Sequence, residues 1–295
     1  MGFDGERADY RAPGVPEGRY WGELTESRRS RGGETGEPVP DELLRAFGLL
    51  KKASARANFT LAPERMGEEK CAAIFAAADE LIRGKHGEDF PLSVWSAPSD
   101  TNDNVNEVIA NRGSEMADMP NLVQPDELDL SREPESAFPT AARIAAALAV
   151  AEGVLPVAEA EMEESCAALR GALSELYLLP PGAAADAPEG FDAYVVREIA
   201  RQTGKPFVIG SSAPAEAGAA VCAHQAIMTL ARELERSSPE NEVRERASEA
   251  LERLSEAEKA IGAAAESCSA ERDGRCLLYV LSSALLLGSL LGGAA

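Results

Sequence analysis

The sequence predicts an all-α protein, and three observations carry that reading. Alanine recurs in stretches such as AAIFAAADELI and AARIAAALAV, where helices pack closely at no side-chain entropy cost. Only 5% of the residues are aromatic, too few for a sheet-rich core. An apolar share of 45% over 295 residues supplies one large or two ordinary domains, which excludes a purely disordered chain.

Residues 1 to 40 hold many of the glycines and prolines and read as an extended arm with one local anchor at Tyr20 and Trp21. Asp41 is expected to cap a first helix through about Asn58, with Leu43, Leu44, Phe47, Leu50 and Lys51 on one face. GEEKCAAIFAAADELIRGK reads as a second helix ending at Gly84. From Phe90 to Asn104 the prolines and the run of Ser, Thr, Asp and Asn predict a loop, with a helix resuming near Val105. Residues 116 to 136, broken by Pro120, Pro125 and Pro134, predict a long connection. Pro139 then suits the first position of a long helix that kinks or restarts near Pro156.

LLPPGAAADAPEGF breaks that helix; after it come a helix from about Phe191 to Gln202, a short extended KPFVIG, and a helix from about Ala215 to Arg236. Residues 239 to 266 carry Glu and Arg at helical spacing around sparse Val243, Leu251 and Leu254, which predicts an exposed or coiled helix. The uncharged CLLYVLSSALLLGSLLGGAA, residues 276 to 295, suits either burial in a helical core or oligomer interface, or insertion in a membrane as a tail anchor. On either reading, removing it is expected to raise solubility. Residues 1–112 are expected to form an N-terminal domain with its arm, 113–236 a central helical region, and 237–295 an acidic helix with the apolar tail.

Fifty acidic against twenty-nine basic residues give a net charge of -21, which argues against nucleic acid as a partner because phosphate binding needs surplus Lys and Arg. Cys71, Cys166, Cys222, Cys268 and Cys276 are scattered and only His86 and His224 join them, so no zinc-ligand spacing arises. An odd cysteine count behind an N-terminus without an apolar leader points to free thiols and the cytoplasm. His86 reads as a surface residue at a helix end, and His224 as a core or interface residue. The most polar cluster, SAPSDTNDNVNEVIANR from Ser96 to Arg112, suits either an N-cap and turn network or a site for a carboxylate or phosphate.

FPLSVW followed by NVNEVIANR resembles the class II fumarate hydratases of the fumarase and aspartase superfamily. The resemblance extends over RYWGELTESRRS, PVPDELLRAFGLLKKASARAN, AAIFAAADELIRGKHGEDFPLSVW, FPTAARIAAALAV, GFDAYVVREIARQTGKPFV, the AH of AHQAI and PENE at Pro239 to Glu242, in the family's order and across most of residues 5 to 235. It implies a mainly helical subunit, here shortened, whose long central helices bundle with those of three partners in a homotetramer. It also implies reversible hydration of fumarate to malate, a step of the tricarboxylic acid cycle, without metal or organic cofactor.

Such chemistry needs donors for two carboxylates, a base, and a group that stabilises the aci-carboxylate. The family's WQTGSGT falls on Trp95 to Thr101, which places Ser99 and Thr101 at substrate-binding hydroxyl positions. Pro98 and Asp100 replace its glycines, and at about 4 Å and an effective dielectric near 20 a carboxylate at Asp100 would repel a substrate carboxylate by roughly 4 kcal/mol. HPND corresponds to Gln124, Pro125, Asp126 and Glu127, and SSND to Glu133, Pro134, Glu135 and Ser136, so an imidazole and hydroxyl donors are replaced. The family's Thr-His dipeptide and its mobile serine loop have no counterpart. The sequence therefore predicts a fumarate hydratase relative with impaired or lost activity and no assignable catalytic residue; a non-catalytic helical scaffold or interaction protein is the alternative.

Overall fold

A computed structural model describes residues 15–33, 36–161, 163–210, 215–238, 241–265 and 270–292. Cys268 and the first two residues of PENE lie outside them, as do the first residues of the arm. Helices dominate, and among the described residues strand is confined to two short parallel segments, β1 (Leu178–Leu179) and β2 (Val208–Ile209). The all-α expectation holds. The chain forms two compact units, one of residues 1–137 with 183–195, the other of 138–182 with 196–295. The boundary expected after Arg112 lies inside a helix of the first unit.

In the first unit the arm is not wholly extended: α1 (Glu23–Arg28) continues into one π-helical turn, Arg29–Gly33. The buried carboxylate of Glu107 explains α1, since it accepts the backbone N–H groups of Gly22 at 2.9 Å, Leu24 at 2.8 Å and Thr25 at 3.2 Å. These are donors that a helix start leaves without internal partners. Helix α2 (Asp41–Leu61) starts where the sequence suggests, but Pro40 is its cap residue and Asp41 makes no side-chain cap bond. Asp41 still favours the start through the helix dipole.

Helix α3 (Glu68–Ile82) packs on α2 and on α4 (Pro98–Met116). Backbone approach between α3 and α4 is close enough that a Cβ on Gly113 would lie 2.9 Å from the Ala73 carbonyl oxygen, so glycine is required there. Helix α4 corrects the expected loop: it begins at Pro98, seven residues before Val105. Proline at the first position and Asp100 in the first turn are start signals that outweigh the loop-like composition. Asn102, Asn104 and Asn106 are buried rather than facing water. The expected long connection after Met116 holds one 3₁₀ segment, Pro125–Asp129, and α5 (Pro134–Ala149) begins at Pro134, leaving Pro139 inside the helix.

In the second unit the chain passes from α5 through a π-helical stretch, Val150–Val154, into α6 (Leu155–Glu161), so the expected irregularity falls just before Pro156. The apolar window within Pro134–Glu159 has the length and composition to cross a membrane, yet 67% of it is buried inside the structure, as in a core helix. Helix α7 (Glu163–Leu176) follows, and α8 (Phe191–Thr203) is the amphipathic helix after the breaker. Helices α9 (Ala215–Ser237), α10 (Asn241–Ala265) and α11 (Ala270–Gly292) pack on one another. Of the sparse apolar residues of α10, Val243 and Leu254 are buried and Leu251 is half-buried, and Ala247, Ala250 and Ile261 are buried with them.

The apolar tail is part of this core. Leu277, Leu278, Val280, Leu281, Ala284 and Leu287 are all buried on α11 against its neighbours, so core burial accounts for its composition. The expectation that removing residues 276–295 raises solubility is thereby reversed, because removal would uncover the facing sides of α9 and α10.

Candidate functional site

The first turn of α4 carries both sequence-predicted hydroxyls and separates them. Ser99 is exposed, whereas Thr101 is 1% exposed and its Oγ1 has no hydrogen-bond partner. Two helical positions turn a side chain by about 200°, so the two hydroxyls leave the helix on different sides. Between them, Asp100 takes the Arg28 Nε at 2.9 Å, and Asp103 takes Nη2 of the same guanidinium at 2.8 Å. The helix's positive end thus carries the chain's own carboxylates, and Arg28 is committed to them.

The residues aligned with the second and third motifs are engaged locally. Gln124 and Glu127 form a reciprocal cap on the 3₁₀ segment, and Glu127 also pairs with Lys70. Asp126, Glu133, Pro134 and Glu135 are exposed, while the Ser136 hydroxyl donates to the Glu133 carbonyl at 2.7 Å. No hydrogen bond or ion pair among the described residues joins Ser99, Asp100 or Thr101 to these segments. The first turn of α4 and these acidic segments therefore share no direct polar contact, although α4 packs on the 3₁₀ segment.

What joins α4 to the 3₁₀ segment is a buried network that the sequence did not announce. Lys51, fully buried, donates to Asn102 Oδ1 at 2.7 Å and pairs with Asp129 Oδ1 at 2.6 Å. Asp129 Oδ2 accepts Asn102 Nδ2 at 2.9 Å and Asn106 Nδ2 at 2.7 Å. Burial raises the Asp129 carboxyl's pKa, but the Lys51 charge and these hydrogen bonds outweigh it and hold the group below its ordinary value. Burial pulls the Lys51 ammonium below its usual range, and Asp129 partly restores it. The available signal was Lys51 itself, a lysine on a helix face otherwise made of leucine and phenylalanine, where a buried charge requires a partner.

A second cluster lies around His86, which is not a freely solvated helix-end residue. Its ring bridges Glu80 and Asp89, and Glu80 also takes the Arg112 guanidinium of α4. His224, in the second unit, is buried as expected, with Nδ1 3.5 Å from Ser283 Oγ. Cys71, Cys166, Cys222 and Cys276 are free thiols. Among the described residues no group of three His, Cys, Asp or Glu side chains could hold a metal ion. A cavity of about 670 Å³ in the second unit is lined by residues including Ser165, Arg232, Glu233, Arg236 and Ser255, and by none of the candidate residues.

Comparison with known proteins interprets this arrangement. The lyase family matches residues 14–160. Over 271 residues the chain is 33% identical to a class II fumarate hydratase of Pseudomonas aeruginosa, covering 73% of this chain and 56% of that protein. The chain belongs to the fumarase and aspartase superfamily. Another class II fumarate hydratase, from Thermus aquaticus, is 41% identical over 168 residues, covering 53% of this chain and 36% of that one. The fold agrees: a class II fumarase from Schistosoma mansoni superposes with a TM-score of 0.73 at 19% identity, over 94% of this chain and 80% of that one. A fumarate lyase/delta crystallin from Brucella melitensis gives 0.75 at 20% identity, over 95% and 80%. This fumarase-family chain spans a little over half the length of the first curated relatives it matches, 56% and 59%.

Proposed function

We propose that this fumarase-family chain retains the helical scaffold of a fumarate hydratase and hydrates fumarate to malate very weakly or not at all. One observation carries the reading: in the first turn of α4, where the family resemblance puts substrate-binding hydroxyls, Asp100 is tied to Arg28 while Thr101 is turned into the core. A dianion approaching Ser99 would meet the Asp100 carboxylate, whose partner Arg28 is shared with Asp103, and one carboxylate pair at about 4 Å costs roughly 4 kcal/mol at an effective dielectric near 20. Ser99 and Thr101 remain the residues proposed for substrate contact. The resemblance supports a homo-oligomer, a tetramer by family, without metal or organic cofactor.

A fumarate-to-malate assay on the purified chain tests this. Malate formation at background is expected, with no change on Thr101→Ala. Measurable turnover that Thr101→Ala abolishes would overturn the proposal and establish a working site at that turn.

A further inference from the structure

The segment leading into α1 is fastened to the first unit at several places, among them Asn111 Nδ2 donating to the Tyr20 carbonyl at 2.8 Å and Arg112 Nη1 to the Tyr20 hydroxyl at 3.2 Å, and two further fastenings differ in kind. Glu107 binds Gly22, Leu24 and Thr25 through a buried carboxylate. The other fastening is built around His86. Its Nδ1 lies 3.0 Å from Asp89 Oδ2 and its Nε2 2.8 Å from Glu80 Oε2. A neutral imidazole has one N–H, so in that form one ring nitrogen would aim a lone pair at a carboxylate oxygen. Two carboxylate partners at hydrogen-bond distance fit the doubly protonated ring.

The clasp reaches the arm through Tyr20. The Tyr20 N–H donates to Asp89 Oδ1 at 3.0 Å, its hydroxyl donates to Glu115 Oε2 at 2.6 Å, and its ring meets the imidazole edge-on at 5.3 Å between centroids. The charged groups facing the ring are few and each has a role. Glu80 on α3 also takes Arg112 at 2.7 Å and Lys85 at 3.1 Å, and so stays ionised with or without the imidazolium. Arg112 also pairs with Glu115 on α4. Among the described residues only the Tyr20 N–H and His86 meet the Asp89 carboxylate, so the loss falls there or on the ring's own seat. Either neutral tautomer leaves one repulsive contact, and turning the ring to relieve it removes the edge contact with Tyr20.

We propose that His86 is a proton-operated clasp: doubly protonated, it holds the Tyr20 end of the N-terminal strap on α3 and α4, and loss of one proton loosens that end. The hydrogen bond to Asp89, opposed by burial and assisted by Glu80, keeps the proton on His86 above the pH at which a free histidine loses it. Release therefore occurs as pH rises through that elevated value. The effect stops at Gly22, because the amides of Gly22, Leu24 and Thr25 bind Glu107 rather than the His86 cluster. This inference does not depend on whether the chain hydrates fumarate.

The test is nuclear magnetic resonance on the full chain between about pH 6 and pH 9. Ring nitrogen shifts report the protonation of His86, and amide exchange, corrected for its intrinsic pH dependence, reports the strap. Protection of the Tyr20 amide is expected to fall several-fold as His86 loses its proton, while Leu24 and Thr25 amides keep theirs. In His86→Gln, Tyr20 protection should be low and independent of pH. A ring that loses its proton at or below the free-histidine value of about 6.5, or Tyr20 protection unchanged through the ring's titration, overturns the clasp. Both readings come from the unmodified chain, so they decide the matter even if the glutamine variant does not fold.

Discussion

The two histidines contrast the two units of the molecule. In the first unit His86 sits between Glu80 and Asp89 and gains from being charged; in the second His224 is buried among apolar helices, and burial lowers its affinity for a proton. The difference extends beyond these residues. The first unit positions its elements with directional polar contacts: Lys51 with Asp129, Glu107 with three backbone amides, Arg28 with two aspartates. The second relies on alanine and leucine surfaces, with α11 packed on α9 and α10. Directional contacts fail singly and at large cost, whereas apolar packing fails in proportion to the area exposed.

Truncation after Arg275 should have the largest effect. Burying one Leu or Val side chain contributes about 1.5–3 kcal/mol, so losing Leu277, Leu278, Val280, Leu281 and Leu287 together removes roughly the whole stability of a domain, about 5–15 kcal/mol. The truncated chain should lose cooperative unfolding of the second unit in calorimetry and enter the insoluble fraction. A soluble, cooperatively folding product would show that α11 is not part of this core.

Lys51→Met comes next. Leaving Asp129 buried without its cation should cost about 3–5 kcal/mol in urea denaturation, and adding Asp129→Leu should recover only part of it, because Asn102 and Asn106 then lose their acceptor. Equal losses in the single and double variants would mean that shape, not charge, matters at that site.

The pH prediction sharpens the contrast directly. His86 has its affinity raised, so its contribution is complete below the unfolded value near 6.5 and is lost as pH rises through the higher folded value. His224 has its affinity lowered, so its site costs nothing above about 6.5 and loses stability as pH falls through that value toward the lower folded one. Hydrogen exchange across this range should show acid strengthening the region of Tyr20 and weakening that of His224 and Ser283. Parallel responses in the two regions would erase the distinction.

The smallest effect is expected at Thr101→Val. Because the buried Oγ1 has no partner, replacing it with a methyl should change stability by less than about 1 kcal/mol in either direction. A loss of several kcal/mol would reveal a partner for that hydroxyl.

Legibility varied with the range of the interactions. The alanine-rich runs identified α3, α5 and α9 because helical propensity and apolar spacing are local properties. The start of α4 was missed because Ser, Asp and Asn serve loops and buried helix faces alike, and only distant partners distinguish the two. Asn102 and Asn106 meet Asp129, and Asn104 Nδ2 reaches the Asp89 carbonyl at 3.0 Å. Ser99 and Thr101 were readable as a pair from their motif, but their divergence was not, since it depends on a helix beginning at Pro98.

By itself the sequence determined the helical class, the family, the order of most helices and the composition of the tail, all of which rest on local periodicity or on residue identity. Tertiary structure alone decided that Lys51 meets Asp129, that Arg28 covers Asp100 and Asp103, and that the tail lines a core. The physical reason is the same in each case: a buried charge or an apolar face is stable only with a specific complement. That complement lies 75 residues away for Arg28 and Asp103 and 78 for Lys51 and Asp129, beyond the reach of any local pattern.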